Sequence, residues 1–71
     1  ALEGGLDGFN VFNKIIKMSS ILLKKGGKLV LEIGFDQKIE MLRILKKKNF
    51  FLNKTVQDYS GKDRCIICTK L

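Results

Sequence analysis

The chain has 71 residues, which is enough for one small domain or for part of one. Hydrophobic residues make up 45% of it and argue against wholesale disorder, while two cysteines and no histidine argue against a disulfide framework or a zinc site. The net charge of +7, from 14 basic and 7 acidic residues, is compatible with an acidic partner such as RNA.

The basic residues are mostly lysines spread along the chain, so we interpret them as solvated side chains in preference to a nucleic-acid surface. No apolar run is long enough to cross a membrane and no signal peptide is visible, so we expect no membrane partner. Reduced thiols and the lack of a targeting segment suggest the cytoplasm. The chain begins with Ala1 and not with methionine, which suggests that it was cut from a longer protein or processed.

A glycine-rich loop followed by a helix is predicted at the start. The segment ALEGGLDG has three glycines, and Asp7 is a plausible N-cap for the helix after it. The helix is predicted from a stripe of residues at helical spacing, namely Phe9, Phe12, Ile15, Ile16, Ser19, Leu22 and Leu23. Lys24 and Lys25 suit the negative end of the helix dipole, and Gly26 and Gly27 end the helix.

Residues 28–34 are predicted to form a strand that is apolar on both faces apart from Glu32, as in a parallel sheet buried on both sides. Gly34 lets the chain turn, and Asp36 can cap a second helix. The apolar stripe of that helix is predicted to comprise Ile39, Leu42 and Leu45, with Met41 beside it and Lys46, Lys47 and Lys48 at its end.

Two further strands complete the prediction. Residues 50–58 carry polar side chains on both faces and suit a sheet edge, whereas residues 64–70 are apolar on both faces and suit the centre. The strand–helix–strand crossover should be right-handed and parallel, and the last strand should return antiparallel through a turn at Gly61. We therefore predict a mixed sheet in the order first, third, second.

We expect the first helix to belong to a second crossover, entering from a strand outside this chain. If both crossovers move the same way across the sheet, their handedness puts both helices on one face of this α/β unit. The other face would be bare, and the outer edge of strand 28–34 would be unpaired. An unpaired apolar edge favours self-association.

Three segments carry a family resemblance. The sequences LEGGLDGFNVFNKII, LLKKGGKLVLEIGFDQ and DYSGKDRCII contain GG-x-DG, LEIG-x-x-Q and G-x-DR blocks at consistent spacing. Together they resemble the C-terminal part of the release-factor glutamine methyltransferases, the HemK/PrmC family. The resemblance implies a single partial domain, residues 1–71, from a class I (Rossmann-like) methyltransferase with element order α-β-α-β-β. In that family, S-adenosylmethionine donates a methyl group to a glutamine side-chain amide in peptide-chain release factors.

The resemblance also shows what is missing. The chain has no proline, so the Asn-Pro-Pro-Tyr motif that grips the substrate amide is absent, as is the glycine-rich cofactor loop. We expect the isolated chain to bind neither S-adenosylmethionine nor a metal ion, and to be inactive. Its partners would be the missing N-terminal part of the enzyme and, through the parent enzyme, release factors. Candidate substrate-side residues are Glu32, Glu3, Gly4, Gly5 and Asp7.

Other residues have structural interpretations. Gln37 belongs to the first turn of a helix, and Asp63 and Arg64 suit a salt bridge or turn lock. Cys65 and Cys68 lie three apart on a strand, point to opposite faces, and are interpreted as small buried side chains.

Two alternative functions stay open. One is a small basic α/β module that binds RNA or an acidic protein through residues 46–48, although most of its phenylalanines look like core residues and not like a stacking platform. The other is a related methyltransferase that acts on a different protein or on a nucleic acid.

Overall fold

The computed structural model describes residues 6–71, with side chains described from Asn10 onward. In chain order its elements are α1 (Leu6–Leu22), β1 (Lys28–Glu32), α2 (Lys38–Lys47), β2 (Phe50–Gln57) and β3 (Asp63–Lys70). The predicted order of helices and strands is confirmed.

The three strands form one sheet in the order β1-β3-β2, as predicted. Both ladders are antiparallel, so the sheet formed by residues 6–71 is not the mixed sheet that we expected. The physical reason is the insertion of β3. The two strands that run in the same direction lie on either side of it, and no parallel pair forms between them.

A single apolar core lies on one face of this sheet. Leu31 of β1 pairs with Ile66 of β3, and both are buried. Residues from both helices join the same cluster, which confirms that α1 and α2 cover one face. The buried residues are Ile16, Leu31, Ile33, Met41, Ile44, Leu45, Phe50, Ile66 and Cys68.

The opposite face of the sheet, called the open face below, is uncovered by residues 6–71. Val30 is 60% exposed there, and its neighbours in the register are Ile67 of β3 and, one strand further, Lys54 of β2. The prediction that β1 is buried on both sides is therefore wrong for the described chain. Both helices lie on one side, as the handedness argument requires, so they leave the other side of β1 to solvent.

The start of α1 differs from the prediction. Leu6 already begins the helix, so Asp7 lies inside it and is not its N-cap. The predicted loop is helical from residue 6, and residues 1–5 lie outside the described part. The buried stripe is also narrower than expected, since Ile15 and Leu22 are 41% and 75% exposed. Neither helix in residues 6–71 has both the length and the apolar composition needed to cross a membrane.

The second helix is rotated relative to the prediction. Its buried side chains are Met41, Ile44 and Leu45, at the i, i+3, i+4 spacing of one helix face. The expected stripe is wrong at Ile39, which is 75% exposed, whereas Leu45 and Met41 are buried and Leu42 is half-buried against the core, as predicted. Gln37 and not Asp36 is the N-cap.

The turn between β2 and β3 is organised by Asp58. Its carboxylate accepts hydrogen bonds from the backbone N–H groups of Ser60 and Lys62, at 2.9 and 3.0 Å, and from Arg64 Nε at 2.9 Å. These bonds, led by the one from the Lys62 N–H, hold the pKa of Asp58 well below its usual range because they favour the charged form. Gly61 takes φ +82° in this turn, a conformation that other residues rarely adopt.

Replacing Ile66 by alanine should lower the free energy of unfolding by about 2–5 kcal/mol, because Ile66 is fully buried at the centre of the core. Urea denaturation followed by circular dichroism measures the loss. Ile39→Ala is the matched control, since its side chain is 75% exposed and its removal should change stability by less than about 0.5 kcal/mol. Equal losses in both variants would contradict the position of the core.

Replacing Asp58 by asparagine should lower stability at neutral pH, because the charged acceptor of the turn is lost. The pKa of Asp58 is lowered on folding, so its charge stabilises the fold above the ordinary value of 3.8, and this contribution disappears as the pH falls through the lower folded-state pKa. The difference between wild type and variant should therefore persist at mildly acidic pH and shrink only in strong acid.

Urea unfolding of both proteins across this pH range tests the prediction. Tyr59→Ala is the control in the same turn, because that side chain is fully exposed and should contribute little. A difference between wild type and Asp58→Asn that is constant with pH would show that the charge of Asp58 does not stabilise the turn.

Candidate functional site at the carboxyl end of the first strand

Two loops and a strand meet where β1 ends. The Ile33 N–H donates to the Arg64 carbonyl at 2.8 Å, which joins the end of β1 to the start of β3. We call Glu32, residues 33–37 and residues 58–64 the carboxyl edge. In doubly wound sheets ligands bind outside the carboxyl ends of the strands, so this edge is where a site is expected.

Glu32 is exposed at this edge. It pairs in register with Cys65, on the same face as Val30, which is the open face of the sheet. Within residues 6–71 its carboxylate has no hydrogen-bond or ion-pair partner. Water therefore solvates it, and the cost of burying a carboxylate does not arise in the described chain. The group is free to meet a substrate or another part of a larger protein.

The loop after Glu32 is closed by Gln37. Gly34 N–H donates to Gln37 Oε1 at 2.7 Å, and Gln37 N–H donates to the Gly34 carbonyl at 3.0 Å. A Cβ at position 34 would lie only 3.3 Å from that same side-chain oxygen, so a larger residue there would crowd the loop. The LEIG-x-x-Q block thus closes this loop through the two hydrogen bonds between Gly34 and Gln37, which we call the loop lock. This role of Gln37 was not predicted, although the Gly–Gln spacing is visible in the sequence.

The G-x-DR block is structural, as predicted. Arg64 pairs with Asp58 at 2.9 Å, and Asp63 pairs with Lys38 at 3.7 Å. The first pair braces the turn, and the second ties the start of β3 to the start of α2. Pairs this exposed contribute little energy each, so their role is mainly to orient the two loops of the carboxyl edge.

Phe35 is a feature of this edge that the sequence analysis did not single out. Its ring is 54% exposed, and the Lys62 ammonium lies 4.4 Å from the ring centroid. The Arg64 guanidinium is 6.0 Å from the same centroid. A cation over an aromatic face is attracted by the ring quadrupole, so the β1–α2 loop and the β2–β3 turn are held together here. No local sequence pattern predicts this contact, since residues 35 and 62 are far apart in the chain.

The side chains of the remaining candidate residues are not among those that the structure describes. Glu3, Gly4 and Gly5 lie outside the described residues. Asp7 lies in the first turn of α1, and its side chain is not among those described. Among the predicted substrate-side residues, the structure therefore places the side chain of Glu32 alone at the carboxyl edge.

The two cysteines face opposite sides of β3, as predicted, and both are free thiols. Cys68 is buried, and this burial raises the pKa of its thiol. Cys65 is only half-buried, so the prediction that both cysteines are buried is wrong for Cys65. Within the described part of the chain, no group of three or more His, Cys, Asp and Glu side chains is placed to hold a metal ion.

The loop after β1 does not carry the G-x-G-x-G pattern of a dinucleotide-binding turn. Gly34 at its start is followed by Phe35, Asp36 and Gln37 and not by further glycines. A depression of about 640 Å³ runs along α2 beside Asn13 of α1. It lies on the helical side and not on the open face where Glu32 stands.

Several known proteins are similar to this chain, and the three described here share one name. The release factor glutamine methyltransferase of Clostridium botulinum is 43% identical over 70 residues, which is 99% of this chain and 25% of that protein. The protein of the same name from Clostridium acetobutylicum is 36% identical over 70 residues, with the same shares covered. The one from Fusobacterium nucleatum is 39% identical over 64 residues, covering 90% of this chain and 18% of that protein.

No family model matches the chain, and no solved structure matches it significantly. The chain spans about a quarter of the length of the first two relatives, and the matched segment is their C-terminal portion. The α-β-α-β-β order and the inserted antiparallel β3 are consistent with the end of a Rossmann-like methyltransferase domain. Over nearly its whole length, the chain is therefore similar to the C-terminal portion of these release factor glutamine methyltransferases.

Proposed function

We propose that the chain is the C-terminal part of an S-adenosylmethionine-dependent enzyme that methylates the glutamine side chain of peptide-chain release factors. The observation that carries this proposal is the 36–43% identity, over 70 residues, to proteins that bear that name. The carboxyl edge adds support, because the LEIG-x-x-Q and G-x-DR blocks form two neighbouring loops there, each held by its own hydrogen bonds.

The residues of this chain do not fit the cofactor. Its sequence lacks a G-x-G-x-G loop after a strand, and it has no proline for an Asn-Pro-Pro-Tyr motif. We therefore assign cofactor binding and the gripping of the substrate amide to the part of the enzyme outside this chain. Alone, the chain is proposed to be inactive and to bind no S-adenosylmethionine.

Within the parent enzyme the proposed role of the chain is to complete the sheet and to border the cleft. β1 pairs with β3 along one edge, and the other edge of β1 has no partner strand in residues 6–71. The open face beside that edge exposes Val30 and the half-buried Ile67. Uncovered apolar surface next to a free strand edge suits docking of the N-terminal part of the same enzyme.

The exposed side of α1 points to the same partner. Apolar residues recur there at the i, i+4, i+7, i+11 spacing of one helix face, and they are between 41% and 75% exposed. They are Val11, Ile15, Met18 and Leu22. In the isolated chain, a second copy is proposed to take the place of the missing part at the free edge of β1, within the segment 28–34.

We place the enzyme in the cytoplasm, because both cysteines are free and a reducing compartment keeps thiols in that state. The choice of release factors over another protein or a nucleic acid follows the names of the relatives. The substrate-gripping motif that would decide it lies outside this chain.

The proposal predicts that this chain can replace the corresponding quarter of the Clostridium botulinum enzyme, which is 43% identical to it. The chimera should bind S-adenosylmethionine in calorimetry and transfer a labelled methyl group to a release factor. The isolated chain, folded by circular dichroism, should show no saturable binding of the same cofactor. In sedimentation it should self-associate, whereas the chimera should not.

Two results would contradict the proposal. A chimera that is folded and binds the cofactor but transfers no methyl group to the release factor would remove the assigned substrate. Saturable binding of S-adenosylmethionine by the isolated chain would show that the cofactor site lies in these 71 residues.

We expect Glu32→Gln in the chimera to lower kcat/KM by about 10- to 100-fold without unfolding it, the loss that follows when a hydrogen bond to a charged group is removed. Methyl transfer and urea unfolding are measured together. Glu40→Gln is the control, since Glu40 lies on α2 and pairs with Arg43 away from the open face. Wild-type turnover in Glu32→Gln would remove Glu32 from the substrate side.

A further inference from the structure

The end of the domain opposite the carboxyl edge carries a concentrated positive charge. Seven of the lysines lie there, after α1, at the start of β1, at the end of α2 and at the end of β3. We call them the basic pole: Lys24, Lys25, Lys28, Lys46, Lys47, Lys48 and Lys70. Six of these seven are exposed, and Lys70 is half-buried.

Backbone hydrogen bonds join the three segments that form this pole. The Gly26 N–H donates to the Lys70 carbonyl at 2.8 Å, and the Lys70 N–H donates to the Gly27 carbonyl at 2.8 Å. The Leu71 N–H donates to the Asn49 carbonyl at 3.0 Å. Residues 24–28, 46–49 and 70–71 are therefore held side by side, although they are distant in sequence.

Acidic residues are absent from the segments that build the pole. The stretches 17–31, 41–57 and 65–71 contain no aspartate and no glutamate. From residue 10 onward all five acids are elsewhere, at the carboxyl edge or in the first turn of α2: Glu32, Asp36, Glu40, Asp58 and Asp63. The fold thus converts a chain with scattered lysines into a domain with one strongly basic end.

Attraction to a helix dipole explains the position of only some of these lysines. Lys46 and Lys47 lie in the last turn of α2, where a cation is favourable. Lys28 and Lys70 lie on strands, which have little net dipole, and their ammonium groups are anchored on Thr69 Oγ1 and on the Ser20 carbonyl. Gathering like charges destabilises the compact state, so a bound polyanion would relieve a cost that the dipoles do not fully offset.

An exposed aromatic ring stands beside the pole. Phe51 is 56% exposed and lines a shallow groove of about 430 Å³ together with Lys46, Leu52 and Leu71. By their spacing in the sequence most phenylalanines are expected in the core, which argues against a stacking surface for RNA. Phe50 is indeed buried, but Phe51 next to it is not. Apart from Lys46 the groove is lined by apolar side chains, so the relevant feature is the exposed ring beside the lysines of the pole, a combination that binds single-stranded nucleic acids.

We propose that the basic pole binds single-stranded RNA, with lysines contacting phosphates and Phe51 stacking on a base. The exposed Phe51 ring favours a nucleic acid over a carboxylate-rich protein, because a base can stack on it. Both arginines lie outside the pole and pair with Glu40 and Asp58, so the charge of the pole comes from lysines alone. This binding activity is separate from the proposed methyl transfer and does not depend on it.

The test is a fluorescence anisotropy titration of the 71-residue chain with a labelled oligouridylate at several salt concentrations. With about seven phosphate contacts on a single strand, affinity should fall by roughly a thousandfold between about 50 and 200 mM salt. Polyglutamate, used as a competitor at equal charge, should displace the RNA poorly.

Matched triple variants locate the contact. Lys46, Lys47 and Lys48 are changed to glutamine in one protein, and Lys14, Lys17 and Lys54, which lie outside the pole, in the other. The two variants have the same net charge. We expect the first to lose at least about tenfold in affinity and about 2 units of salt slope, and the second to lose far less.

Two further variants guard against misfolding and test the stacking. Lys24 and Lys25 follow α1 and lie outside both helices, so their change to glutamine should weaken binding without disturbing the fold. Phe51→Leu should weaken binding by roughly tenfold with an unchanged salt slope, because stacking releases no counterions. Circular dichroism establishes that each variant is folded.

Three outcomes would overturn the proposal. Equal losses in the two triple variants would mean that only overall charge attracts RNA. Displacement by polyglutamate at the same concentration as by RNA would assign the pole to acidic proteins. Undetectable binding of the wild-type chain at about 50 mM salt would leave the lysines as solvated side chains.

Discussion

The position of β3 between β1 and β2 is the constraint on which the rest of the domain depends. Its two ladders supply all the strand pairing in residues 6–71, and Ile66 at its centre is fully buried. With β3 inserted, the two helices must share one face, because each packs its apolar stripe onto the side where Ile66 and Cys68 point. The open face and the free edge of β1 follow from the same arrangement, and both suit the docking that we propose for the N-terminal part of a larger enzyme.

The same insertion separates two chemically different ends. The β2–β3 turn is brought against the β1–α2 loop, where Asp58 and Gln37 satisfy the backbone N–H groups of both connections. That end is mixed in charge, exposes Glu32 and Phe35, and is where the proposed enzyme would meet its substrate. The other end gathers lysines without acids. A substrate side and a polyanion side would thus lie at opposite ends of one sheet and could act independently.

Much of the architecture could be predicted from local patterns, and the failures have a common cause. Residues 64–70 are apolar on both faces through their middle, and this was enough to place β3 centrally. The stripes on the helices were less reliable. Ile39 and Leu22 are apolar and well spaced, yet both are 75% exposed, because a helix with apolar residues on two sides does not reveal which side this core covers. The predicted N-caps were also wrong. Asp7 and Asp36 are residue types that favour the N-cap, but Asp7 lies inside α1 and Gln37 takes the N-cap position of α2.

By itself the sequence determined the order of the elements, the central strand and the resemblance to release factor glutamine methyltransferases, because each is a matter of local composition or of motif spacing. Only the tertiary structure decided the loop lock at Gln37, the Phe35–Lys62 contact, the exposure of Glu32 and the grouping of the lysines. These depend on residues far apart in the chain, which the insertion of β3 brings together. No periodicity encodes such contacts, so the strand order had to be known before either end of the sheet could be interpreted.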